Sequence, residues 1–109
     1  MNNSKFGFKK GDLETIIQTI SKFPEITKAV IFGSRAKGNY QAGSDADIAV
    51  WTMNNAIVGQ LSGILNDETL LPYKFDVLNY EKIDSPELKD QINRIGIEIY
   101  QNKKKTLNL

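Results

Sequence analysis

Lys28-Ala-Val-Ile-Phe32 runs straight into Gly33-Ser-Arg-Ala-Lys-Gly38, and a loop later Ser44-Asp-Ala-Asp-Ile-Ala-Val-Trp51 follows. The first five residues read as a short buried strand, since an apolar, β-branched run bounded by turn signals suits a pleated sheet. Gly33-Ser34 closes that strand, and Arg35-Ala36-Lys37 forms a short helical stretch that Gly38 terminates. Asn39 to Gly43 is a loop, and Ala46 to Trp51 is the second strand. Only about a dozen residues join the two strands, so an antiparallel or mixed sheet fits better than a fully parallel one.

Upstream, Leu13, Ile16, Ile17 and Ile20 recur at the spacing of a helix with one apolar face. Asp12 and Glu14 occupy its first turn, where carboxylates suit the helix dipole, and Pro24 marks its end. Residues 1–10 are expected to be loosely ordered, with Phe6 and Phe8 as anchors on the core. Downstream, Ile57, Leu61, Ile64 and Leu65 mark a second long helix. Gly59 and Gly63 weaken it by about 1 kcal/mol each relative to alanine, and their spacing of four suggests close approach of another element. Pro72 introduces a third strand, Tyr73 to Asn79. Ser85-Pro86 starts a final helix with a capping hydroxyl and proline at the first helical position. Leu88, Ile92, Ile95 and Ile99 give that helix its stripe, interrupted by Gly96. Helices and strands alternate, so the expected class is α/β (α+β), a small mixed β-sheet with helices packed on it.

The 109 residues suffice for one domain spanning residues 1–109. Apolar residues at 40% and charged residues at 25% exclude a chain too polar to fold. With no cysteine there are no disulfides or thiolate sites, and with no histidine there is no imidazole chemistry or serine triad. Catalysis must run on carboxylates, lysines, hydroxyls or a metal. A net charge of +1 offers no footprint for direct nucleic-acid binding, and Lys103-Lys104-Lys105 reads as a solvated, loosely ordered tail within residues 103–109. No apolar run reaches membrane-spanning length and the N-terminus lacks an apolar signal segment, so the expected location is the cytoplasm.

Three features carry chemistry. Gly33-Ser34 opens a helix whose first amides lack intrahelical partners and carry the positive end of the dipole. A phosphate suits that turn, with Gly33 allowing close approach and Ser34 adding a hydroxyl. The plain alternative is a tight turn with Ser34 as an ordinary N-cap. Asp45 and Asp47 are two apart at the entry of a strand, so their carboxylates point to one face. Their α-carbons lie roughly 6.5–7 Å apart in an extended chain, a spacing suited to sharing one metal or bridging two. Mg²⁺ takes one or two carboxylates together with substrate phosphates. Alternatively Asp45 is a turn residue and Asp47 faces solvent. Asp76 sits in Phe75-Asp76-Val77-Leu78, where an aspartate is out of place among apolar strand residues. It either joins the other two carboxylates or lies on a polar sheet face with Lys74. Two like charges 4 Å apart at an effective dielectric of about 20 repel by roughly 4 kcal/mol, so joining them calls for a cation.

Gly33-Ser34, ten intervening residues and Asp45-x-Asp47 resemble the signature of the DNA polymerase β-like nucleotidyltransferase superfamily. Phe32 to Gly38, Ser44 to Ile48, Leu71 to Val77 and Ile95-Gly96 extend the likeness to its minimal nucleotidyltransferases (MNT) over nearly the whole chain. The resemblance implies that Asp45 and Asp47 ligate two Mg²⁺ ions. It implies that Asp76 is the third carboxylate, beside the attacking hydroxyl. Gly33 and Ser34 match the phosphate-contacting turn, and Arg35 and Lys37 match basic positions near the triphosphate. Lys9 departs from the capping serine often found before the first helix. The chain also ends where larger relatives, such as the aminoglycoside nucleotidyltransferases, add a helical acceptor domain.

The resemblance further implies an antitoxin that pairs with a HEPN-domain protein and moves AMP from ATP onto it, in a homo- or hetero-oligomer. Two other readings stand beside this one. The first is a non-catalytic module that binds nucleotide or its partner without chemistry. The second is a small-molecule nucleotidyltransferase of the aminoglycoside kind.

Overall fold

The computed structural model describes residues 5–102. Residues 1–4 and the Lys103–Lys105 run therefore lie outside the described residues. Four helices and four strands alternate as α1 (Asp12–Ser21), β1 (Ile26–Phe32), α2 (Gly33–Lys37), β2 (Ala46–Thr52), α3 (Ala56–Gly63), β3 (Phe75–Asn79), α4 (Pro86–Ile95) and β4 (Ile97–Gln101). A π-helical turn, Ile64–Glu68, extends α3, and a 3-10 turn, Tyr80–Lys82, follows β3. The strands lie in the order β3-β2-β1-β4. β1 pairs antiparallel with both β2 and β4, whereas β2 and β3 are parallel. The sheet is thus mixed, as the short β1–β2 connection predicts.

Alternation along the strands divides the core between the two faces. Ala29 and Ile31 of β1 and Ile48 and Val50 of β2 meet Ile16 and Ile20 of α1 and Ile57 and Leu61 of α3. Val30, Phe32 and Ala49 point the other way and are closed off by Ile92 of α4. β2 is central and mostly buried, so it reads as an apolar run without a polar face. Phe6 and Phe8 are buried ahead of α1, with Phe8 edge-on to Tyr73 at 4.9 Å between centroids.

Three expectations need correction. The apolar stripe of the last helix does not reach Ile99. Ser85 caps α4 by accepting from the Leu88 amide at 3.2 Å, but the helix stops at Ile95 and residues 97–101 return as β4. Ile99 stands four residues from Ile95 and two from Ile97, so it satisfies the helical and the strand period alike. Gly96 decides between them: a Cβ there would collide with the Ile92 carbonyl and the Val30 side chain, so the chain turns directly against the sheet. Gly59 and Gly63 admit no close neighbour, since a Cβ on either meets open space. The second long helix also loses its α-helical geometry at Ile64, where Thr69 donates to the Ile64 carbonyl five residues back at 3.0 Å. In that wide turn Asn66 accepts from the Phe75 amide at 2.8 Å and donates to the Phe75 carbonyl at 3.0 Å.

Candidate active site

The sheet register gathers the chemistry. Antiparallel pairing sets Phe32, the last residue of β1, opposite Asp47. Gly33 then turns the chain at φ +74°, in the left-handed region that favours glycine. A Cβ on Gly33 would run into the Asp47 carboxylate. The bare backbone of the turn and the carboxylate therefore lie in contact, and glycine is required twice over. α2 follows for five residues and ends at Gly38, again at positive φ.

On the other side of β2, parallel pairing places Asp76 directly beside Asp47. Residues paired in register present their side chains on the same face, so both carboxylates share the face that carries Ala49 and Ile92 lower down. Asp45 lies two residues before Asp47, just outside the strand, where the Ala46 amide donates to the Lys74 carbonyl at 2.8 Å. Asp45 and Asp76 are exposed and Asp47 is half-buried. Burial pushes the Asp47 carboxyl above its ordinary range, Asp76 and then Asp45 push it further, and Arg35 offsets part of the rise. Asp76 thus lies in register beside Asp47, and the charges of Asp76 and Asp45 both act on the Asp47 carboxyl.

Ser34 does not act as an N-cap: Phe32 holds the capping position and no side chain caps α2. Lys37 is exposed, free to approach an anion. Arg35 is placed differently. Only 3% of it is exposed. Its Nε and Nη2 donate to the Ser44 carbonyl at 3.2 and 2.8 Å, and Nη1 donates to the Phe6 carbonyl at 3.0 Å. The rings of Tyr73, Phe8 and Tyr40 surround its Cζ at 5.1, 5.2 and 5.6 Å. Sequence reasoning grouped Arg35 with Lys37 as a cation for the triphosphate, whereas the side chain is folded inward. The three rings of its cage come from three segments that no local spacing connects.

The donor set suits a hard divalent cation. It consists of carboxylate oxygens alone, and mutual repulsion at Asp47 is what a cation among them relieves. Among the described residues no group of three or more histidine, cysteine, aspartate or glutamate side chains is placed to hold a metal ion as it stands.

Known proteins resemble the chain in sequence and in fold. Residues 14–105 match a family model described as polymerase beta, nucleotidyltransferase. A relative from Methanocaldococcus jannaschii, named "putative protein adenylyltransferase", is 25% identical over 96 residues, covering 84% of this chain and 91% of its own. Among solved structures, a toxin–antitoxin with AMP-PNP superposes at a TM-score of 0.70 with 22% identity, covering 86% of this chain and 77% of that one. A tri-AMPylated Shewanella oneidensis HEPN toxin in complex with MNT antitoxin superposes at 0.62 with 20% identity, covering 88% and 75%.

Proposed function

Because this chain belongs to the polymerase β nucleotidyltransferase family, we propose that it transfers AMP from ATP, with Mg²⁺, to a HEPN-domain partner protein and so serves as the antitoxin of a toxin–antitoxin pair. The observation that carries the reading is the register Asp47↔Asp76, beside a Gly33 turn with no room for a side chain. It is supported by the relative named as a protein adenylyltransferase and by the AMPylated toxin found with a structural neighbour. The expected place of action is the cytoplasm, where ATP is available. No helix among the described residues is long and apolar enough to cross a membrane.

Asp45 and Asp47 would hold Mg²⁺ together with the triphosphate, and Asp76 would complete a second position beside the acceptor. Bound there, Mg²⁺ supplies charge neutralisation on the triphosphate and lowers the cost of forming an alkoxide or phenoxide. Gly33 and Ser34 receive a phosphate against the turn, and Lys37 adds positive charge from the exposed end of α2. Asp76 takes the proton of the acceptor hydroxyl. The hydroxyl oxygen bonds to the α-phosphorus, the bond to the bridging oxygen breaks, and pyrophosphate leaves. Every protein group in this scheme is a carboxylate, an amide, a hydroxyl or an ammonium, as a chain without histidine or cysteine requires.

The test is label transfer. ATP labelled at the α-phosphate should mark a HEPN-domain protein encoded by a neighbouring gene where there is one, and ATP labelled at the γ-phosphate should not. Neutralisation of the partner with no labelled product, and undiminished by Asp45→Asn, would instead identify a binding module. Transfer to an amino-sugar with the neighbour ignored would identify a small-molecule enzyme.

A further inference from the structure

Asp47 and Asp76 are paired within the sheet ladder, whereas Asp45 is tied to it on its C-terminal side only, through the Ala46 amide that donates to the Lys74 carbonyl at 2.8 Å. The β1–β2 pairing ends at Phe32↔Asp47 and the β2–β3 pairing begins at Ala46↔Phe75. Asp45 therefore hangs on the end of the loop from Asn39, one peptide beyond Ser44. The Ser44 carbonyl is the group on which Arg35 places both Nε and Nη2.

Burying that guanidinium is costly. Among the described residues it has no ion-pair partner within 4.0 Å. It is compensated by two carbonyl oxygens, three ring faces and the more distant charge of Asp47. For stability alone, an apolar side chain of similar volume often does as well or better. What an apolar group cannot do is grip the Ser44 carbonyl from one side and the Phe6 carbonyl from the other. The planar fork of arginine does so, and a lysine ammonium does not reproduce it. The grip is also tightly packed: a Cβ on Gly7, at φ +76°, would strike the Tyr40 ring and come within 2.8 Å of Arg35 Nη1.

We propose that Arg35 is a positioning residue: it holds Asp45 through the Ser44 carbonyl and does not touch the nucleotide. It gives Asp45 the fixed backbone that Asp47 and Asp76 receive from the ladder. Phe6 and Phe8, which precede the matched family region at residue 14, serve the site by closing the cage. The proposal rests on the three-aspartate reading of the site, and its test is independent of transferase activity.

Calorimetry measures ATP affinity with and without Mn²⁺ for the wild type, Arg35→Lys and Arg35→Gln, with melting curves to establish folding. The expected result is metal-free ATP affinity within about twofold of wild type in both variants, and at least a tenfold loss in the gain that Mn²⁺ confers. A fall in metal-free affinity would mean that Arg35 contacts the triphosphate and would overturn the proposal. A full Mn²⁺ gain in Arg35→Lys would show that charge suffices without the fork, and would also overturn it. So would folded variants that melt lower but bind normally, since the role would then be purely structural. Should both variants fail to fold, Gly7→Ala carries the test: it keeps the guanidinium but displaces it, and should lose at least threefold of the Mn²⁺ gain. A folded Gly7→Ala with the full gain overturns the proposal. If the wild type shows no Mn²⁺ gain at all, the three-aspartate site itself fails; if it shows one that no variant alters, only the role of Arg35 fails.

Discussion

At the level of single residues, the site trades stability for charge. Asp47 has its carboxyl raised by burial and by Asp76 and Asp45. Between the ordinary carboxylate range and the raised value, the native state holds a proton that the unfolded chain has released. Unfolding free energy therefore falls as pH rises through that window, and the loss is complete above it. Asp47→Asn should melt higher than wild type at neutral pH, and the gap should close as pH is lowered through the window. Scanning calorimetry at several pH values checks this; a variant that melts lower at neutral pH would contradict it. Gly33→Ala should destabilise by more than about 1 kcal/mol in urea titration, because alanine at positive φ is strained and its Cβ meets Asp47. Asp76→Asn should keep most Mg-ATP affinity yet lose at least about tenfold in transfer rate, on the order of 1.4 kcal/mol of transition-state stabilisation. Undiminished single-turnover transfer would remove Asp76 from the chemistry. The nearness of Asp45 to Asp47 was legible from their spacing, although Asp45 lies one residue before β2 and not within it. The inward turn of Arg35 was not, since nothing in Gly33 to Gly38 reveals that Phe8, Tyr40 and Tyr73 converge there.

At the level of elements, most of the pattern could be read from the chain, and the errors fall at glycines. β1, β2, β3 and the capped start of α4 follow from apolar runs, Pro72 and Ser85-Pro86. The end of α4 did not, because Ile99 fits both periods and only packing against Val30 selects the strand. Gly59 and Gly63 read as contact points, yet both face open space, whereas Gly96 is packed against Ile92 and Val30. The two kinds of glycine should separate by substitution. Gly59→Ala faces open space inside α3 and should stabilise by about 0.5–1 kcal/mol through helix propensity. Gly96→Ala should destabilise by about 1–3 kcal/mol, as overpacking does. Urea titration of both variants checks the pair, and equal midpoints would remove the distinction.

For the molecule as a whole, sheet order was beyond the reach of sequence periodicity. Alternation showed that strands and helices exist, but not that β3 would lie parallel to β2 and bring Asp76 beside Asp47. That pairing joins segments separated by α3 and a wide turn, a long-range contact no local pattern encodes.

The amide of Asn66 bears on how such a sheet stays single. β3 is an edge strand, and unpaired edge groups invite another chain to add on. By bonding both the N–H and the C=O of Phe75, Asn66 occupies the first outward-facing station of that edge with a side chain in place of a strand. A five-residue edge with its leading station filled is a poor template for growth into fibres or swapped dimers. At the opposite margin β4 exposes Ile97 at 41%. The margin that Asn66 guards is the one formed by the strand that carries Asp76.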